Sequence, residues 1–201
     1  MRAGLLAALL ALVPAPASLL APSPALAQVG PGPVAGCDTL ESPAGKAWAQ
    51  AQGWRYADPA RAAAVFHDLA DSPLPSPWPD GLPPEVMLLS VGTRFQMAVA
   101  KGQVLPDGSL RPGGWGTFQR VDTMRQARDS LAIRSDFKAT LDYVLTFEVI
   151  KPLPALIGTT GPQVEPGDCH LLPGGSPQLQ MLVLPAERMR YLKLIEQRAL
   201  Q

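Results

Sequence analysis

Residues 143–184 read YVLTFEVIKPLPALIGTTGPQVEPGDCHLLPGGSPQLQMLVL, and the reading of this stretch decides the fold. Residues 143–150 alternate and are rich in β-branched and aromatic side chains, the pattern of a half-buried strand. Pro152 and Pro154 carry no N–H, so the KPLP segment is expected to break the ladder. Gly174 and Gly175 allow a tight turn, and residues 178–184 read as a second strand leaving it. Gln178 therefore stands where a strand emerges from a glycine turn, a place from which a side chain can meet a ligand at close range.

Working outward, the first 27 residues read as an export signal. Arg2 supplies a positive start, residues 5–13 an apolar run, and Ala25-Leu26-Ala27 a small-residue cleavage site. Pro14, Pro16, Pro22 and Pro24 argue against a membrane span, and no later run has the apolar length a bilayer requires. The expected location is secreted or periplasmic, with no membrane span after signal cleavage.

Cys37 and Cys169 are the two cysteines of the chain. In an oxidising compartment they are expected to form one disulfide. With His67 and His170 the only histidines, no metal set is expected. Lys plus Arg and Asp plus Glu number 17 each, with no basic stripe, which argues against nucleic acid as a partner. The 23 prolines and 18 glycines accompany a 47% apolar composition, so a loop-rich folded domain is expected rather than a disordered one.

Residues 28–84 read as a small helical cap and a proline-rich linker. Residues 42–52 suggest a short helix. Asp58-Pro59 starts a second over 60–70, with Asp as N-cap and Pro at the first helical position. His67 lies in it as a surface or packing residue. The linker SPLPSPWPDGLPP covers 72–84. Residues 85–201 form the main domain: strands over 85–91 and 96–100, then a glycine-rich lobe over 101–120. A helix is expected over 122–142, with Arg125, Arg128, Arg134 and Lys138 mostly solvated, and another over 186–200 carrying Met189, Leu192 and Ile195 on one face. The fold class is α+β, a mixed or antiparallel sheet core with peripheral helices.

A Gly-x-Ser-x-Gly elbow and a P-loop are both absent from the chain. What remains is Arg94 within an apolar run, Arg120, the glycine turn and Gln178. Two guanidiniums match the bidentate geometry of a pyrophosphate. A structural ion pair is the plainer reading of Arg94, since a desolvated guanidinium needs an anionic partner. Trp115 suits packing or stacking equally.

At these residues the chain resembles the tuberculosis-necrotizing-toxin-like NAD glycohydrolases. That family carries a strand followed by a K-P-(L/I)-P segment, a glycine and a G-G-x-x-Q motif. Here these correspond to Lys151-Pro152-Leu153-Pro154, Gly158, and Gly174-Gly175-Ser176-Pro177-Gln178. Arg94-Phe95 resembles the middle of the family's D-R-(F/Y)-G segment, with Thr93 and Gln96 in place of its aspartate and glycine. Residues 102–120 resemble its glycine-rich run ending F-x-x-R or similar, with Phe118 and Arg120, separated by one residue, as the matching pair.

The resemblance implies an ADP-ribosyltransferase/TNT-like fold and an exported enzyme releasing nicotinamide from NAD or NADP as substrate, with no cofactor. It further implies a toxin with an immunity protein as partner. Gln178 and Arg94 would be catalytic. Arg120, Phe95, Phe118, Gly174 and Gly175 would bind substrate, the arginines on the diphosphate and Phe95 beside the nicotinamide or ribose. Related ADP-ribosyltransferases use a Gln/Glu-x-Glu motif; Gln178-Leu179-Gln180 lacks its glutamate, which favours hydrolysis over transfer. The remaining alternatives are that transferase on the same scaffold and a non-enzymatic exported binding domain. For the last, Arg94 would be paired to an internal carboxylate and no cleft would remain.

Overall fold

The computed structural model describes residues 36–201; the expected export signal and most of the leader expected to follow it lie outside the described residues. Two α-helices, α1 (Pro43–Gln52) and α2 (Pro59–Asp71), open the fold. Both start as their sequences dictate. The Ser42 hydroxyl accepts the Gly45 N–H, and Asp58 accepts that of Ala60, each satisfying an amide with no intrahelical partner. Gly45 is required at its position, because a Cβ there would lie 2.1 Å from the Thr39 carbonyl oxygen.

The helices enclose a small core around Trp48 and Phe66, whose rings lie 5.6 Å apart. Val164 and Leu171 of a later hairpin complete that core, and the Cys37–Cys169 disulfide ties the hairpin to the cap. Hairpin and helices thus bury one another's apolar faces, which a ten-residue helix could not do alone.

The main domain is built of antiparallel strands flanked by short helices, an α+β fold as expected. One sheet has the order β1 (Glu85–Leu89), β5 (Leu153–Thr159), β8 (Pro177–Met181), β3 (Trp115–Gly116). The other has the order β2 (Arg94–Val99), β4 (Tyr143–Val149), β9 (Leu192–Ala199). The two meet where Gln96 and Thr117 exchange backbone hydrogen bonds of 2.7 and 2.8 Å. Between them lies the main core, including Phe95, Met97, Val99, Leu145, Phe147, Val149, Leu153, Leu179 and Met181. Alternation along β2 accounts for the division of its side chains: Phe95, Met97 and Val99 face this core, while Arg94, Gln96 and Ala98 take the opposite face. The two-stranded hairpin β6 (Gln163–Glu165) and β7 (His170–Leu172) stands apart.

Four local expectations are corrected. The helix expected over 122–142 is only α3 (Met124–Ser130); turns follow it, held by the Arg128 guanidinium on the carbonyls of Ile133, Lys138 and Ala139. Arg125 is solvated, but Arg134 is 2% exposed and paired with Asp136, and Lys138 is half-buried. The helix expected over 186–200 is a 3-10 turn, Pro185–Arg190, and then strand β9. Met189, Leu192 and Ile195 have helical spacing, yet the open edge of β4 offers this segment a full ladder of hydrogen bonds, and that pairing prevails. Finally, Pro154 sits inside β5. Its carbonyl accepts from Leu182, just beyond the end of β8, so the missing N–H falls where the ladder has already stopped.

Candidate functional site

The outer face of the β3–β8 edge carries a cleft of about 760 Å³. Its floor comes from β2, β3 and β8 (Gln96, Gly116, Gln178), one wall from 131–140, and the opposite wall from linker residues Leu74, Pro75 and Pro77 with Thr160 and Gln163. On the cleft side the linker is held by the following contacts. Gly161 donates its N–H to Pro77 at 2.8 Å, Gln163 donates through Nε2 to the Ser76 carbonyl at 2.8 Å, and Trp78 packs on Trp115 with ring centroids 5.7 Å apart.

Gln178 reaches the cleft because the glycine turn sets β8 at this depth. Gly174 has φ +68° and Gly175 φ +96°, conformations open to glycine and strained for other residues. A Cβ on Gly174 would lie 2.5 Å from the Gly161 carbonyl oxygen. The amides of the turn are all engaged: Gly174 donates to Asp129, Gly175 to Thr160 and Ser176 to Ser130. Gly174 and Gly175 therefore place Gln178, and their own N–H groups face protein carbonyls. The Ser176 hydroxyl bonds Gln119 Oε1 at 2.6 Å, and the Thr117 hydroxyl donates to the Pro177 carbonyl at 2.6 Å, so the start of β8 is pinned from both sides.

Gln178 is 8% exposed and its Oε1 has no hydrogen-bond partner among the described residues. Gln163, 4% exposed, likewise leaves its Oε1 unpartnered. Buried acceptors without donors are uncommon and costly. Two of them line one cavity. Trp115 and Phe137, each more than a third exposed, add aromatic surface to it.

Lys138 is the cation among the described lining residues. Its Nζ donates to the Ala98 carbonyl at 2.8 Å, leaving two N–H bonds for other acceptors. Burial, reinforced by the nearby Arg128 guanidinium, pulls its pKa from 10.5 to about 8.

The other site residues named from the sequence are not among the lining residues of this cleft. Arg94 sits on the same β2 face as Gln96, two residues further along, where it pairs with its cross-strand partner Glu148 at 2.8 Å. Arg120 pairs with Asp122 at 2.8 Å. Gln96, two residues after Arg94, accepts the N–H of Val121, the neighbour of Arg120, through Oε1, and its Nε2 reaches Thr146. Phe95 faces the core, 2% exposed, with its ring centroid 6.0 Å from that of Phe147. Phe118 is surface-exposed. Sequence reasoning missed Gln163, Lys138 and Phe137. No motif marks them, and their placement depends on the β6–β7 hairpin and on turns read as helix.

A second cavity, about 590 Å³, lies between the cap and the linker. Its Asp80 carboxylate is already engaged by Tyr56 and Arg61, so the cavity offers no comparable unsatisfied group.

No family model matches the chain, and no curated protein matches it significantly by sequence. Among solved structures it is similar to Tne2, determined in complex with Tni2, at 28% identity and a TM-score of 0.52. The match covers 61% of this chain and 97% of that one. Rhs1-CT in complex with its cognate immunity protein RhsI1 aligns at 12% identity and a TM-score of 0.35, over 58% of this chain and 80% of that one. Tse6 in complex with Tsi6 aligns at 18% and 0.37, over 76% and 94%. Only the first of these bears on the fold; it supports the α+β assignment.

Proposed function

We propose that the chain is an exported glycohydrolase of the toxin type that cleaves NAD or NADP at the nicotinamide N-glycosidic bond. The observation that carries this reading is the buried, unpartnered Oε1 of Gln178 in the cleft, at the end of the G-G-x-x-Q motif. The likeness to Tne2, which spans nearly all of that protein, adds support from the fold.

The chemistry asks little of the protein in acids or bases. The C1′–N1 bond breaks with its electron pair leaving on nicotinamide, which departs neutral because it was a pyridinium, so no proton donor is needed at the leaving group. Positive charge gathers on the ribosyl carbon as in other glycosyl transfers, water adds there, and the proton it loses passes to solvent. Gln178 Oε1 accepts a ribose hydroxyl or orients that water. Trp115 and Phe137 offer faces to the planar rings. Lys138 supplies charge toward the diphosphate from the wall, and Arg94 and Arg120 complete the grip from the rim, Arg94 by exchanging Glu148 for phosphate. Positioning and electrostatics supply the acceleration.

Gln178-Leu179-Gln180, without a glutamate, favours hydrolysis over transfer. By analogy with Tne2 and Tni2, a dedicated partner protein would bind this chain. The Arg94–Glu148 pair is what a non-enzymatic binding domain would also show, but that reading expects no cleft, and here the cleft stays open. The test is turnover of NAD, NADP and the fluorescent etheno analogue by the purified protein. Gln178→Ala should abolish release of nicotinamide while leaving the thermal melt intact. Absence of turnover in the unmodified protein sinks the enzyme reading, and ADP-ribose found attached to protein rather than free would shift it to transfer.

A further inference from the structure

Gln163 carries the second unpartnered acceptor of the cleft, and its orientation is fixed. Its Nε2 donates to the Ser76 carbonyl at 2.8 Å, so the amide cannot flip without setting oxygen against oxygen. Oε1 is thereby turned away from the linker; the residue is 4% exposed and lines the cavity that Gln178 also lines, and this oxygen has no donor among the described residues. With no donor among the described residues, this buried oxygen has its accepting capacity open to a group from outside the protein.

We propose that Gln163 is a second ligand-contacting residue, and that the linker orients it through Ser76. The group it receives is an uncharged hydrogen-bond donor, because an unpartnered carboxamide oxygen repels phosphate and welcomes N–H or O–H. The inference rests on the dinucleotide reading above. Gln163 shares its cavity with Gln178, which that reading sets at the nicotinamide-side ribose, so the donors assigned to it are those at that end, the carboxamide NH₂ of nicotinamide and the 2′-hydroxyl of the adjoining ribose. The 72–84 segment is then part of the binding site rather than a spacer. Leu74, Pro75 and Pro77 wall the cleft, and Ser76 sets the one polar group of that wall that lacks a partner.

The experiment compares discrimination between substrates, which does not depend on the fraction of enzyme folded. The protein and its Gln163→Met variant are assayed for kcat/KM with NAD and two analogues. In one, the carboxamide NH₂ is replaced by methyl (the 3-acetylpyridine analogue). The other lacks the 2′-hydroxyl of the nicotinamide-side ribose. Intrinsic reactivity cancels between enzyme and variant. The preference for NAD over one of the two analogues should fall about tenfold in the variant, the size of one buried hydrogen bond, and which preference falls identifies the donor. Gln163→Asn, which draws the acceptor back by one methylene, should do the same and serves if the methionine variant does not fold. Both preferences unchanged in a variant that turns over NAD overturns the role of Gln163 alone. No turnover of NAD or NADP by the unmodified protein removes the dinucleotide reading and this inference with it.

Discussion

Gly158 lies directly opposite Gln178 in the β5–β8 ladder, and the space above it is filled by the indole of Trp78. A Cβ at Gly158 would sit 3.1 Å from that ring and 3.3 Å from the Cα of Pro84. The linker is therefore seated by a missing side chain next to the residue on which the proposed chemistry depends. Gly158→Val should lift Trp78 from its slot and cost about 1–3 kcal/mol, as overpacking does. The check is a denaturant melt combined with limited proteolysis, where cleavage within 72–84 should appear earlier than in the unmodified protein.

The Cys37–Cys169 bond spans 132 positions of sequence and joins the cap to the β6–β7 hairpin. In the chain-entropy model closing so long a loop contributes about 5 kcal/mol, with measured values often lower. Replacing both cysteines by alanine should lower stability by about 2–5 kcal/mol. Because Gln163 begins that hairpin, KM should rise before kcat falls. An unchanged melting midpoint would show that packing of Trp48 and Phe66 alone holds the cap.

Lys138 gives the site a pH signature. Its folded pKa, about 8, lies below the 10.5 of the free side chain, so between these values the unfolded chain holds more protons than the folded one. Stability should then rise with pH from about 8 to 10.5, by an amount on the order of 3 kcal/mol. Ligand affinity should move the other way: KM for an anionic dinucleotide flat below about 8 and increasing above it as the ammonium loses its charge. Lys138→Met should remove both slopes. A KM that still rises there in the variant would assign the titration to another group.

The Arg94–Glu148 pair separates stability from binding. The arginine side chain is 63% exposed, and an ion pair at such a site contributes at most about 1 kcal/mol. Arg94→Ala and Glu148→Gln should both leave the melting midpoint nearly unchanged. Their effects on KM should be opposite: an increase when the guanidinium is lost, a decrease when its competing carboxylate is neutralised. Parallel effects would mean that Arg94 stays with the protein and never turns to the ligand.

What the sequence determined by itself is local. Ser42 and Asp58-Pro59 start helices wherever they stand before helix-forming residues. The alternation of 143–149 makes a strand, Gly174-Gly175 makes a turn, and the chain's two cysteines make a bond. Each signal acts through neighbours a few residues away, so it is legible in one dimension, and Gln178 was legible with them because it closes a glycine turn.

Only the tertiary structure decided the rest. Residues 192–199 carry helical spacing but become a strand because β4 presents an unpaired edge. Arg134 and Lys138 have the spelling of a solvated face, yet turns that Arg128 holds in place bury the first and half-bury the second. Gln163 gains its meaning from the carbonyl of Ser76, 87 positions away, and from a wall that the linker supplies. Burial and the loss of a hydrogen-bond partner are properties of what surrounds an atom, and those surroundings exist only once distant segments have met.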